Sequence, residues 1–193
     1  MRRVQNQRKT RETSIDIVLD LDNPEGGEIS TGIAFFDHML TSMAKHGRIG
    51  LSLVAQGDLE IDAHHTIEDT GIVLGQAIKE AIGDGKGIAR FSHAIVPMDE
   101  SLATVALDLG GRGYLVFRGS FSHQRVGGIE REIFEHFFYS LCIRGGITAH
   151  LSMEGKNDHH MCEALFKAFG IALGSATRIG PDCDNIPSIK GSF

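Results

Sequence analysis

Apolar and polar positions along this chain change period several times, and the changes mark its elements. Residues 14–21 (SIDIVLDL) alternate and are rich in β-branched side chains, which predicts a strand. NPEGG reads as a turn, with a short strand expected near 28–33. Phe36, Met39, Leu40 and Met43 recur at helical spacing and predict a helix over 35–46. Residues 49–55 alternate again. Residues 64–82 place Ile67, Leu74, Ile78 and Ile82 on one helical stripe. The second half repeats the series: strands over 102–109 and 113–119, a helix over 130–143, a strand over 147–153 and a helix over 159–176.

The pattern is therefore ββαβα twice, an α+β class with an internal duplication. Residues themselves repeat as well. HHTIEDTGIVLGQAI from His64 and HHMCEALFKAFGIAL from His159 share His-His-x-x-Glu and then Gly-x-Ala, at an offset of 95 residues. FDH ending at His38 matches FEH ending at His136, and Gly57 matches Gly155, both at an offset of 98. Leu19-Asp20-Leu21 matches Leu107-Asp108-Leu109, and Glu12 matches Glu100, both at 88. FSHQRVGG (Phe121 to Gly128) is a natural place for the insertion that lengthens the second copy. The first repeat is expected over about 10–95, the second over about 98–180, and a C-terminal tail over 181–193. The Gly-rich stretch 83–100 reads as a linker, with Pro97 just before the second copy. Each half has fewer than 100 residues and buries only a modest core alone, so both are expected to pack as a single domain over 1–193.

Composition adds one oddity. Ten His stand beside two Tyr and no Trp, in a chain of net charge −6. The acidic balance argues against a nucleic-acid partner. No run of 18 apolar residues suggests a membrane span, and no apolar stretch follows the basic N-terminus as in a signal peptide. Cys142, Cys162 and Cys183 are few, odd in number and far apart, which fits a reduced, cytoplasmic protein.

The repeat organises the histidines. On a helix, residues four apart lie within about 40° of each other, so His64 with Glu68, and His159 with Glu163, can hold one ion per pair. The adjacent His65 and His160 point about 100° away and should serve other ions. With His38 and His136 the set is six His and two Glu, enough for two ions of three His and one Glu each. The grouping expected is His64, Glu68, His136 and His160 for one ion, and His159, Glu163, His38 and His65 for the other. Side chains diverging from one helix suggest ions shared between subunits, hence a metal-linked homo-oligomer. N/O ligands without Cys suit Mn, Fe, Co, Ni or Zn. A bland cluster of caps and salt bridges is the alternative. His46, His93, His123 and His150 have no repeat partner and read as ordinary.

Other polar residues leave more open. Lys167 follows Glu163 by four residues; it either forms an i,i+4 salt pair or faces an anion such as a substrate phosphate. IPSIKG, holding Ser188 and Lys190, suits an anion-binding turn. Glu12 and Glu100 each precede an equivalent strand, as a general acid or base or as solvated strand ends.

FFDHML, DAHHTIEDTG, RFSHAIVPMDES, the Gly-Arg-Gly-Tyr stretch, EHFFYSL, NDHHMCEALFKAFGIAL and IPSIKG together resemble the imidazoleglycerol-phosphate dehydratase family of histidine biosynthesis. The match runs from about residue 4 to the C-terminus, without an attached phosphatase domain. The resemblance implies a fold like the second domain of ribosomal protein S5, two divalent ions per subunit (Mn²⁺ foremost) and a cage of 24 subunits with sites between them. It implies that Arg90, Arg112, Lys167, Ser188 and Lys190 hold the phosphate of a small phosphorylated imidazole. His38, His64 and His159 then border substrate as well as metal, and Glu12 reaches the reacting carbons. The family usually carries Gln where this chain has Ser42, which is too short to make the same direct contact.

The implied reaction is the loss of water from imidazole glycerol phosphate to give imidazole acetol phosphate. The proton removed is not acidic, so an electron sink is needed. A ring held by metal at both nitrogens would serve as an imidazolate and pass through a diazafulvene-like species. Glu12 is the first base candidate, followed by Glu68 or Glu163. Readings of another class are a divalent-metal storage shell without catalysis and a metal-dependent phosphohydrolase.

Overall fold

The computed structural model describes residues 2–181 and 184–191. Cys183 and parts of the expected tail, at 182–183 and 192–193, lie outside the described residues. The elements run β1 (Arg3–Lys9), β2 (Thr13–Asp20), β3 (Ile29–Ser30), α1 (Ala34–Gly47), β4 (Gly50–Gly57) and α2 (His64–Ile82) in the first half. The second half has β5 (Phe91–Met98), β6 (Ser101–Asp108), β7 (Tyr114–Arg118), a small hairpin of β8 (Arg125–Val126) and β9 (Ile129–Glu130), α3 (Arg131–Gly145), β10 (Thr148–Glu154) and α4 (Asp158–Ala176).

Two four-stranded sheets result, β1-β2-β4-β3 and β5-β6-β10-β7. Both have the same internal directions: two antiparallel pairings, then a parallel one at the β3 or β7 edge. The duplication is thus present in topology and not only in motif. Each unit is one strand longer than expected, βββαβα rather than ββαβα. The extra strands, β1 and β5, are both edges of their sheets. β1 carries a single apolar residue, Val4, so no alternation advertises it. β5 does alternate, but it lies in the stretch read as a linker. Its Pro97 is tolerated because an edge strand has one side without a ladder partner. The first unit therefore reaches back to Arg3, and the second begins at Phe91. The expected insertion is the β8–β9 hairpin and its approach.

The helices lie between the sheets. α2 packs on β1 and β2, α4 packs on β5 and β6, and the halves meet through α1 against α4 and α2 against α3. Phe36, Phe134, Phe137, Phe138, Phe166 and Phe169 are fully buried in this seam. Phe36 meets Phe137 edge-on at 5.2 Å, and Phe137 stacks on Phe166 at 5.6 Å, both favourable ring geometries.

The repeated glycines explain how closely the helices cross. A Cβ on Gly75 would overlap the carbonyl oxygen of Leu141, and one on Gly170 would overlap that of Met43. Only hydrogen at these equivalent positions lets α2 reach α3 and α4 reach α1. Those two crossings bring the histidines of opposite halves together.

Candidate metal centres and the surrounding site

Each His-His pair sits in the first turn of its helix. The backbone N–H of His64 donates to Asp62 Oδ1 at 2.7 Å. Those of His159 and His160 donate to Asn157 Oδ1 at 3.0 and 3.4 Å. These caps satisfy otherwise orphaned helix donors and fix where the imidazoles leave the helix.

Among the described residues, two groups can hold a metal ion: His64, Glu68 and His136, and His38, His159 and Glu163. Within each, one ligand atom per residue lies within 4.8 Å of the others. In the first group Glu68 Oε2 is 3.6 Å from His64 Nε2, and its Oε1 is 3.3 Å from His136 Nε2. In the second, Glu163 Oε2 is 3.2 Å from His159 Nε2 and 3.4 Å from His38 Nε2. Separations of this size suit ligands that each stand about 2.0–2.2 Å from a common ion. Each triad takes residues from both halves: α2 with α3, and α1 with α4. His136 Nε2 is buried and has no hydrogen-bond partner among the described residues. A buried polar atom left so is costly unless something binds it, and an imidazole nitrogen facing a carboxylate and another imidazole fits a cation.

The structure brings together three of the four residues expected for each ion. It does not bring His160 to the His64 group or His65 to the His159 group. Those two rings turn away from the triads, each tied at Nδ1 to a different carboxylate. His65 Nδ1 lies 3.0 Å from Asp58 Oδ2 and 4.0 Å from Glu12 Oε2. His160 Nδ1 lies 3.0 Å from Glu100 Oε2. The Asp58 hydrogen bond raises the His65 pKa above its ordinary value against some loss of hydration. His160, the Asn157 N–H and the Ser101 hydroxyl hold the Glu100 carboxyl well below the usual range.

Glu12 sits in the tight turn between β1 and β2. Its backbone N–H donates to the Thr10 hydroxyl at 3.1 Å, as does that of Thr13 at 2.9 Å. Buried Asp69 on α2 accepts from the Thr13 hydroxyl and, at 2.9 Å, from Arg8 Nε. The turn is therefore fixed to the helix that carries His64 and His65, while the Glu12 side chain is 56% exposed.

The cations fall into two groups within one chain. Lys167 Nζ lies 2.8 Å from Glu163 Oε1, so the salt pair does form. Burial opposes the charge on Glu163, but Lys167 and His38 outweigh it and keep its pKa below the ordinary value. His46, read as ordinary, lies in the field of Lys167; partial desolvation, Lys167 and Lys45 lower its pKa. Arg90 belongs to the other group. It pairs with Asp108 through Nε at 2.7 Å, and its Nη1 donates to the Pro187 carbonyl at 2.7 Å. That contact brings the guanidinium beside the turn holding Ser188 and Lys190, where Lys190 N–H donates to Ser188 Oγ at 3.2 Å. Arg112 is exposed on the β6–β7 loop. Its neighbour Gly111 borders a cavity of about 320 Å³ together with Ile186. Ser42 is buried within α1.

The insertion braces the second triad. Asp158 Oδ1 accepts from Ser122 N–H at 2.9 Å, and its Oδ2 accepts from His123 N–H at 2.8 Å. Gly127 packs so closely on Phe35 that a Cβ there would overlap the ring, and Phe35 meets His159 edge-on at 5.2 Å.

Known proteins resemble this chain over most of its length. A family profile described as imidazoleglycerol-phosphate dehydratase matches residues 31–173, from just after β3 to the body of α4. The chain belongs to the imidazoleglycerol-phosphate dehydratase family. As a member it is a hydro-lyase of histidine biosynthesis, in a metal-dependent family whose substrate is a small phosphorylated imidazole. It is 60% identical over 193 residues to the dehydratase of Methanoculleus marisnigri, covering 100% of both chains. It is 59% identical to that of Methanosphaerula palustris over 189 residues, 97% of each. The crystal structure of the Staphylococcus aureus dehydratase superposes with a TM-score of 0.84 at 40% identity, covering 92% of this chain and 99% of that one. The Pyrococcus furiosus enzyme, solved in complex with (S)-C348, gives the same TM-score of 0.84 at 32% identity over 97% and 100% of the two chains. Among the described residues no helix is long and apolar enough to cross a membrane.

Proposed function

We propose that this chain dehydrates imidazole glycerol phosphate to imidazole acetol phosphate, as a cytoplasmic homo-oligomer of 24 subunits with two Mn²⁺ ions per chain. The observation that carries the reading is the pair of triads, each built across the two halves and each ending in Nε2 atoms directed at one carboxylate. His64, Glu68 and His136 would hold one ion; His38, His159 and Glu163 would hold the other. His65 and His160, which belong to neither triad, would complete the ligand sets of neighbouring copies.

Ions held by the two triads would supply Lewis acidity that makes the substrate ring an electron sink. Glu12 is a carboxylate with no side-chain hydrogen bond among the described residues, held by a rigid turn beside His65. It takes the proton from the carbon next to the one that loses hydroxyl, and the resulting enol becomes the ketone. Glu68 and Glu163 are occupied by imidazoles and rank behind it as bases. Arg90, Arg112, Ser188 and Lys190 grip the phosphate from one side. Lys167 contributes from the other, since only part of its three-donor ammonium is taken by Glu163. This cationic set favours dehydration over a metal-storage shell, which needs no phosphate grip.

The test is incubation of the intact protein with Mn²⁺ and imidazole glycerol phosphate, following the ketone through its enol absorbance and free phosphate in parallel. Ketone without phosphate release is expected. Phosphate release would indicate a phosphohydrolase, and no product under saturating Mn²⁺ would overturn the reading.

A further inference from the structure

We infer that Asp58 is a positioning residue for His65, and that it thereby releases Glu12 from the role its repeat counterpart Glu100 still performs. The inference rests on the reading of His65 and His160 as metal ligands.

Glu12 and Glu100 occupy corresponding turns, just before β2 and β6. Their surroundings differ. Glu100 is fully engaged: Oε2 meets His160 Nδ1 at 3.0 Å, and Oε1 accepts from Asn157 N–H at 2.7 Å, Lys156 N–H at 3.2 Å and Ser101 Oγ at 2.9 Å. A carboxylate so bound orients an imidazole and has no oxygen left for substrate. In the first half both oxygens of Asp58, at 3.0 and 3.2 Å, take up the Nδ1 of His65. Glu12 stays at 4.0 Å, beyond hydrogen-bond distance.

The two carboxylates reach equivalent imidazoles from different places in the chain. Gly57 and Gly155 correspond in the repeat, so Asp58 corresponds to Lys156, which has no carboxylate to offer. The strand end at Gly57 runs against α2 so closely that a Cβ would overlap the Thr66 hydroxyl. That approach brings residue 58 within reach of His65. The outcome at the ring is the same in both halves: Nδ1 is occupied by a carboxylate, which leaves Nε2 as the nitrogen for a metal ion. A carboxylate behind a ligand imidazole fixes its tautomer and orientation, and its loss lowers metal affinity about 10- to 100-fold. One copy of the duplicated turn thus keeps a structural glutamate, while in the other Asp58 leaves Glu12 open for proton transfer.

The experiment titrates Mn²⁺ into the intact, chelator-stripped protein and its variants, reading free Mn²⁺ by electron paramagnetic resonance, with the fold checked by circular dichroism. Asp58→Asn is expected to weaken binding about 10- to 100-fold at one class of site, as Glu100→Gln does at the other. Glu12→Gln binds Mn²⁺ as the parent does. Asp58→Glu, which restores a carboxylate, recovers affinity to within a few-fold and keeps the test open if the asparagine variant folds poorly. If His65→Ala weakens binding but Asp58→Asn does not, the inference is wrong. Loss of affinity in Glu12→Gln equal to that in Asp58→Asn would also overturn it, because Glu12 would then share the positioning role. If His65→Ala itself leaves Mn²⁺ binding unchanged, the ligand reading fails and the role of Asp58 fails with it.

Discussion

Gly75 on α2 faces the carbonyl of Leu141 on α3 with no room for a methyl group between them. Its repeat counterpart Gly170 meets Met43 on α1 in the same way. These crossings set how far His64 stands from His136 and His38 from His159. Gly75→Ala or Gly170→Ala must push the halves apart, since the nearest atom is a backbone carbonyl oxygen and not a movable side chain. Overpacking of this kind costs about 1–3 kcal/mol. Each variant should show that loss in chemical denaturation and should bind Mn²⁺ more weakly at the triad beside it. Parent stability in both would mean that the crossings are looser than the geometry indicates.

On the proposed mechanism, Glu12 acts in catalysis and not in metal binding. Glu12→Gln keeps the shape of the side chain and removes its basicity. Turnover should fall about 10²- to 10⁴-fold, the usual contribution of a positioned general base, while metal content and particle size stay as in the parent. Steady-state assay with metal analysis of the same preparation checks both halves of the expectation. Near-normal turnover would remove Glu12 from the mechanism.

Much of this was legible in the residues. The i,i+4 pairs His64–Glu68 and His159–Glu163 follow from helical geometry, and α2 begins and ends where the periodicity places it. The partners of those pairs required the fold: nothing in FDH or FEH says that α1 meets α4 and α2 meets α3. β1 was not legible, because an edge strand with one apolar residue carries no alternation to read. β5 alternates, but Gly-rich and Pro-bearing surroundings mimic a linker. Asp58 was invisible to the repeat for a different reason. It does what Glu100 does from a position where the second copy has Lys156, so matching one half to the other points away from it.

If His65 and His160 complete the sites of neighbouring copies, metal contributes to assembly. Removal of the ions by a chelator should shift the particle to smaller species in light scattering, and added Mn²⁺ should restore it. An unchanged particle after verified metal removal would show that other contacts hold the subunits together.

The buried thiols give a pH-dependent expectation. Burial pushes Cys142 up to about 12 and Cys162 well above the ordinary thiol value. In the folded chain both stay neutral at mildly alkaline pH, where an unfolded thiol ionises. Their contribution to stability is therefore intact below the unfolded thiol pKa and erodes as pH rises above it. At pH 8–9 iodoacetamide should leave both unmodified in native protein and label both after denaturation, as read by peptide mass mapping. Rapid native labelling of Cys142 would contradict its burial between the halves.

On the proposed reading, each metal centre draws its ligands from both halves of the duplicated chain. Mn²⁺ content per chain in paired His-to-Ala variants tests this most directly. His64→Ala with His136→Ala removes ligands from opposite halves but from one triad, and should lose one class of ion while the other remains. His38→Ala with His136→Ala also removes ligands from opposite halves, but from both triads, and should lose both classes. The account is contradicted if the first pair loses both classes of ion, or if the second keeps one of them at parent affinity.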